Sequence, residues 1–531
     1  MTRIFGLALA LSLAALACAP PAEKPQTGSQ TNWLTACLSA DDCGGLECLC
    51  GTCTVACSSD DACADFAGAS CAPPSDEASV ALCGGAAPAE GLCLPQGPAP
   101  VQIAIDTSEQ HQPLVGFGAS LAYADDAIVA RADKAELYDL VFADAGLSVL
   151  RLRNRWGDGA AALEPAGEIV AAATQRIGRA PVLFMTSGSP PAELKANASR
   201  TCAGDAETCT LRTLPDGSFD YEGFASFWRA SLDAYASAGL SPDYVSIQNN
   251  PNWLPSSAAP GEGCRFLPEE GTEAVEVAGV MQDVAYPGYR EALAAVRASV
   301  SSMSTAPRLA APESTGPRVL GDYALAAGAP SFEAIALHLY GQDPEAIDVA
   351  ALESVASLAG TLGRPVFQTE MVAEGLETAI FAHHALTSAN AEVYLQNDLV
   401  ALTPERADTA LVLLGDDGLD PQGPYYALMH YAKHTAPGFR RVGARSESGE
   451  LLVSAWLAPD GSALTTVLIN PGSEPREAQL TFDALGTELT RTALARTTFD
   501  GGERFADVGA LSADGRLEVP AHAIVTIART R

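Results

Sequence analysis

Short apolar runs recur at 114–118, 147–152, 181–186, 242–248, 308–312, 333–338, 364–369 and 391–396, and longer stretches with apolar residues at helical spacing lie between them. Those stretches include 126–142, 221–238, 286–302, 348–359 and 373–387. Regular alternation of strand and helix predicts a parallel sheet covered by helices, and eight runs predict closure into a (β/α)8 barrel of the TIM type. A last helix is expected over 425–434, ended by Pro437-Gly438. Beyond it the period changes to short alternating runs at 439–446, 450–458, 463–469, 477–482, 488–497 and 516–528, with turns at Pro459-Asp-Gly and Asn470-Pro-Gly between some of them. That spacing predicts a C-terminal β-sandwich at 438–531, which the alternating run 101–106 can join.

The region before residue 98 has neither pattern. An apolar run from Ile4 to Ala17 follows Arg3 and ends at Cys18, the layout of a secretory signal over 1–17 rather than of a membrane span. Ala15-Leu16-Ala17-Cys18 has the small residues that precede a lipidated cysteine, and diacylation of Cys18 would anchor the chain stably. Ordinary cleavage nearby is the alternative. Residues 18–32 read as a tether rich in Pro, Ala, Gln and Thr. Ten cysteines between Cys37 and Cys93 then mark 33–97 as a small disulfide-rich module. Their spacing leaves connectivity open, and export together with the lack of histidines in the module argues against a metal site.

Composition narrows the function classes. A net charge of −34 disfavours nucleic acid and anionic polymers as partners, and 6% aromatic residues allow only a small sugar-stacking surface. In a barrel spanning 98–437, chemistry sits where strands end at the C-terminal face. The polar residues there are Arg151 and Arg153, Ser187 to Pro191, Asn249 and Asn250, Glu313, His338 and Tyr340, Glu370, and Gln396 to Asp398. Glu370 closes an apolar strand with a carboxylate, as a nucleophile at a barrel mouth requires.

Six segments in order, Gly116-Phe-Gly-Ala-Ser120, Gly146 to Arg153, Ser187 to Lys195, Ser246 to Pro251, Gln368-Thr-Glu370 and Tyr425 to His430, resemble glycoside hydrolase family 30 over about residues 101–531. The family's members are retaining enzymes acting on β-linked glucosides, xylans and related glycans. The resemblance implies that Glu370 is the nucleophile and that Asn249 bonds the sugar 2-hydroxyl. Arg151 and Tyr340 would hold the nucleophile ionised, and His338 and Trp253 would contact substrate. No cofactor and no metal are implied.

The same resemblance exposes departures. Where the family carries its acid/base glutamate in Gln-Asn-Glu-Pro, this chain has Asn250, which has no titratable proton to give. Gly188 replaces a tryptophan, and Tyr394 or Gln396 stands where another is expected. Glu262, Glu269, Glu270 and Glu313 are the carboxylates near enough in sequence to substitute. Cys202 and Cys209 are expected to pair, leaving Cys264 free or bonded to the N-terminal module. Two functions follow: an exported, lipid-anchored or secreted glycosidase of weakened activity, or a pseudoenzyme that binds a β-linked glycan at the outer membrane or cell surface. A surface lipoprotein with neither role is the third reading.

Overall fold

The computed structural model describes residues 32–66, 68–95, 99–277 and 279–531. The expected signal over 1–17, the expected tether up to residue 31 and Cys18 lie outside these residues. The chain forms two compact units that meet in sequence between Ala99 and Pro100.

The first unit is held by disulfides more than by side-chain packing. Cys37–Cys48, Cys43–Cys53, Cys50–Cys83, Cys57–Cys71 and Cys63–Cys93 use all ten cysteines. Half-cystines make up most of its core, with Leu46, Trp33 and Phe66 filling the remainder. Few apolar residues are available here, so covalent closure takes the place of a larger core.

In the second unit eight parallel strands close a barrel in chain order: Gly116–Ser120, Val149–Arg153, Val182–Thr186, Tyr244–Ser246, Arg308–Ser314, Ala334–His338, Val366–Met371 and Ala391–Gln396. Alternate residues of each strand face the lumen and the helices, so each strand is apolar on both sides. Phe184, Tyr244 and Phe367 fill the lumen against the small Ala310, Ala334 and Ala336, with Tyr244 edge-on to Phe367 at 4.7 Å. The barrel centre is thus packed solid, and only its C-terminal rim is left to form a site.

The predicted helix 126–142 is broken into Asp125–Ala130, Lys134–Tyr138 and a π-helical turn, Asp139–Asp144. Arg131 adopts an extended conformation and its guanidinium pairs with Asp133 at 2.6 Å, which ends the first helix. Helices Glu164–Ile177 and Pro317–Ala327 complete the ring where no helix was predicted.

Nine strands form the C-terminal sheet, which closes over its own apolar core as a sandwich. The run at 101–106 extends to Pro113 and lies inside this sheet, parallel to Arg476–Phe482 and antiparallel to Arg440–Ser446. The single run expected over 516–528 is two strands, Arg516–Val519 and Ala523–Thr530, in different parts of the sheet. Pro520 lies between them and has no N–H to continue a ladder.

The sandwich is tied to the barrel through His430, on the last barrel helix, Gly423–Ala432. Its two ring nitrogens meet Thr526 at 2.9 Å and Thr497 at 2.8 Å, both hydroxyls lying on sandwich strands. Burial keeps this imidazole neutral, its pKa pushed down to about 3 with a further contribution from His434, and burial does the same to His383. Both groups bind protons more readily unfolded, near 6.5, than folded, so their contribution is complete above about 6.5 and is lost as pH falls towards 3. Denaturant unfolding measured from pH 7 to pH 4 is expected to show stability falling by up to about 1.4 kcal/mol per pH unit for each histidine. His430→Gln is expected to flatten that slope.

Candidate active site

Two local irregularities bring the carboxylates into the rim. In the fifth strand Ala310 faces the lumen, so strict alternation would turn Glu313 outward. The register shifts between Pro312 and Ser314 and Glu313 takes φ +59°, which turns its side chain inward. In the seventh strand Phe367 faces the lumen, and a shift between Gln368 and Met371 likewise lets Glu370 point into the mouth. Arg151 needs no such device, because it is in phase with lumen-facing Val149 on the second strand.

Arg151, itself buried, joins the two carboxylates. Nη1 lies 2.8 Å from Glu370 Oε2, and Nη2 lies 3.1 Å from Glu313 Oε1. Nη2 also donates to Asn249 Oδ1 at 2.8 Å. Tyr340 donates its hydroxyl to Glu370 Oε1 at 2.7 Å, and Thr186 donates to Glu313 Oε2 at 2.5 Å. Burial by itself would raise both carboxyl pKa values. Arg151 outweighs it, helped by His338, so Glu313 falls to about 2 and Glu370 lies below its ordinary value. Burial and the neighbouring Glu370 charge push the Tyr340 phenol well above its ordinary range, so it stays a donor.

Above this cluster opens a cavity of about 680 Å³. Glu370, Asn249, Asn250, Arg151, Tyr340 and Trp253 all line it. Trp253 is 40% exposed and Tyr123 63% exposed, so two aromatic surfaces stand open at the mouth. The guanidinium of Arg153 stacks over Tyr123 at 4.2 Å. Asn250 takes φ +48°, a conformation asparagine tolerates better than most residues, and its N–H donates to the Glu313 carbonyl at 3.1 Å. Its side-chain Oδ1 is buried with no partner among the described residues.

The nominated substitute acids separate. Glu269 pairs with Arg290, Glu270 accepts from Tyr221, and Glu313 lies wholly buried beneath the cavity floor. Glu262 does line the cavity, on Gly261–Glu262, a two-residue strand paired with Thr201–Cys202. The Cys202–Cys209 disulfide closes that loop, and Arg200 holds Glu262 at 3.0 Å. Gly188 makes room for it: a Cβ at 188 would stand 2.5 Å from Glu262 Oε2. The carboxylate therefore occupies space that any larger residue at 188 would claim.

His338 does not reach the cavity, contrary to the expectation of a substrate contact. It is fully buried, with Nε2 3.6 Å from Glu313 and Nδ1 4.0 Å from Glu370, and supports the carboxylates from below. Tyr394 and Gln396 are also buried off the cavity, and the eighth strand reaches it through Asn397 and Asp398 instead. Cys264 is free and buried, and burial pushes its thiol up to about 12, which leaves it unreactive. Tyr123 and Arg406 enter the site from loops with no periodic signal that could have indicated them.

No family model matches the sequence. Among solved structures, the chain is similar to a glycoside hydrolase family 30 subfamily 8 xylanase from Clostridium acetobutylicum, with TM-score 0.61 and 20% identity over 81% of this chain and 100% of the other. A family 30 endoxylanase from Clostridium papyrosolvens matches with TM-score 0.61, 18% identity and coverage of 81% and 100%. An endo-β1,6-glucanase matches with TM-score 0.57, 13% identity and coverage of 82% and 96%. The shared property is the fold: a barrel with a side sandwich.

Removing Arg151 leaves two buried carboxylates without their cation. Arg151→Met is expected to lower stability at pH 7 by about 3–5 kcal/mol. In the unmodified protein these groups contribute stability above about 4.5 that is lost as pH falls towards 2. In the variant their pKa values rise, so part of the deficit is recovered on moving from pH 7 to pH 4.5. Melting curves of both proteins at the two pH values check this.

Proposed function

We propose that this chain is a retaining β-glycosidase of the family 30 type, acting on a β-linked glycan of the xylan or β-glucan class, with Glu370 as nucleophile. The observation that carries the reading is Glu370 itself. Its carboxylate lines the cavity, with one oxygen on Arg151 and the other on Tyr340, and its lowered pKa keeps it ionised. An ionised, oriented carboxylate at the base of a cleft is the group that attacks an anomeric carbon. Asn249 supports the reading too. Its Oδ1 is committed to Arg151, so its Nδ2 is free to donate to a sugar hydroxyl. Trp253 and Tyr123 offer ring faces for sugar stacking, and the similarity in fold to xylanases and a β1,6-glucanase favours the same substrate class. Six disulfides fit an oxidising compartment outside the cytoplasm, and Cys18 is the proposed point of lipid attachment.

Asn250 favours a second reading, a glycan-binding protein that has lost turnover, because no proton donor stands at that position. The two readings part on aryl β-glycosides whose leaving groups need no acid. Turnover of 2,4-dinitrophenyl β-xyloside or β-glucoside, its loss in Glu370→Gln, and covalent labelling of Glu370 by a 2-fluoro glycoside are the expected results. Tight oligosaccharide binding with no turnover of any aryl glycoside supports the binding protein instead. Asn250→Glu is expected to raise activity on xylan or β-glucan by on the order of 10²–10⁴-fold where no other group in the site donates the proton, and to change it little where another residue already does, measured as reducing ends released.

A further inference from the structure

We propose that Asp398 is the proton donor of this site, standing in from the eighth strand for the carboxylic acid that position 250 does not supply. The proposal rests on the glycosidase reading of Glu370. Asp398 lines the same cavity as Glu370 and follows the adjoining strand, where the Asn397 N–H donates to the carbonyl of Met371 at 2.9 Å. That bond sets the Asp398 backbone beside the residue that follows Glu370. Leu399 N–H to Ser120 at 2.8 Å and Leu411 N–H to the Asp398 carbonyl at 3.1 Å hold the segment on both sides. The side chain is only 15% exposed, and its single hydrogen bond among the described residues is from Arg406 Nη2 to Oδ2 at 3.2 Å. Oδ1 has no partner among the described residues and is available to carry a proton in a residue that lines the cavity.

The charged and titratable groups that face Asp398 are Arg406 from the turn Pro404–Thr409, Glu370 from the seventh strand, Arg151 from the second, and Tyr340. Burial and the Glu370 charge prevail over the two guanidiniums and push the Asp398 carboxyl up to about 6, while Glu370 is held below its ordinary value. Two carboxyls in one cavity with pKa values driven apart divide the work of acid and nucleophile. Glu262, the other carboxylate on the cavity wall, is bound to Arg200 and takes a second contact from Tyr123 at 3.3 Å, so it lacks a free oxygen environment of this kind.

In the first step a Glu370 oxygen bonds to the anomeric carbon, the bond to the leaving oxygen breaks, and its electron pair takes the Asp398 proton. In the second step a water oxygen bonds to the anomeric carbon and releases Glu370, and its proton returns to Asp398. The sum consumes one water, and the anomeric configuration is retained.

The test measures kcat/KM on a series of aryl β-xylosides and β-glucosides, from 2,4-dinitrophenyl to unsubstituted phenyl, for the unmodified chain, Asp398→Asn and Glu262→Gln. Asp398→Asn is expected to lose about 10²–10⁴-fold on phenyl glycosides and far less on dinitrophenyl glycosides. It is also expected to lose the basic limb of the pH profile near 6 and to form the glycosyl azide when azide is added. Glu262→Gln is expected to keep that limb and the leaving-group dependence. The proposal is overturned if Asp398→Asn falls equally on every leaving group, or if the acid signature appears in Glu262→Gln instead. Should Asp398→Asn fail to fold, the discriminating result is Glu262→Gln alone: loss of the basic limb there overturns the proposal, and its retention supports it. If the unmodified chain turns over no dinitrophenyl glycoside, the glycosidase reading fails and the proposal with it. Turnover with Glu370 labelling but an unaffected Asp398→Asn leaves the glycosidase reading standing and removes Asp398 alone.

Discussion

A single buried guanidinium holds the rim of this barrel together. Arg151 faces Glu313 and Glu370 at once, and each of those carboxylates would be costly to keep ionised without it. A lysine could not replace it, because a point charge lacks the planar fork that reaches both carboxylates and Asn249 together. Glu313 is the deeper partner, wholly buried and bonded to Thr186, and it anchors Arg151 from the side away from the cavity. Glu370 then lies at the cavity surface, where the charge set by Arg151 is put at the disposal of a ligand.

The floor of the cavity is carboxylate and guanidinium, while its wall is built from amides, aromatic rings and loop carboxylates. Asn250 is held to Glu313 by its backbone N–H, and its side-chain amide oxygen is unpartnered among the described residues. Next to it, Gly188 leaves space that Glu262 occupies from a loop closed by Cys202–Cys209. The eighth strand adds Asn397 and Asp398 to the cavity lining. The floor thus carries the cavity's fixed charge, and the wall carries the groups whose protonation can change.

Much of this was legible along the chain because period and position are local properties. All eight barrel strands lie where apolar runs end at polar residues, and the run at 101–106 was recognisable as a sandwich strand. Local propensity failed where a single residue broke the pattern. The extended Arg131 interrupts a helix that periodicity carries straight through, and Pro520 splits a run that reads as one strand. Tyr123, Arg406 and the role of Asp398 could not be read, since loop residues converge on the cavity only after the barrel closes.

By itself, the sequence determined the barrel, the sandwich and the placing of Glu370, Asn249, Asn250 and Arg151 at strand ends, because an apolar run that gives way to polar residues marks where a strand stops. Only the tertiary structure decided which way those residues point and what each one faces. Glu313 and Glu370 turn inward through register shifts that neighbouring strands impose, so alternation alone would have placed both outside. His338 lies below the carboxylates rather than against a ligand, and Asp398 shares with Glu370 a cavity that neither Glu313 nor His338 lines. Depth, orientation and shared charge depend on the closed ring of eight strands, which no stretch of the chain contains.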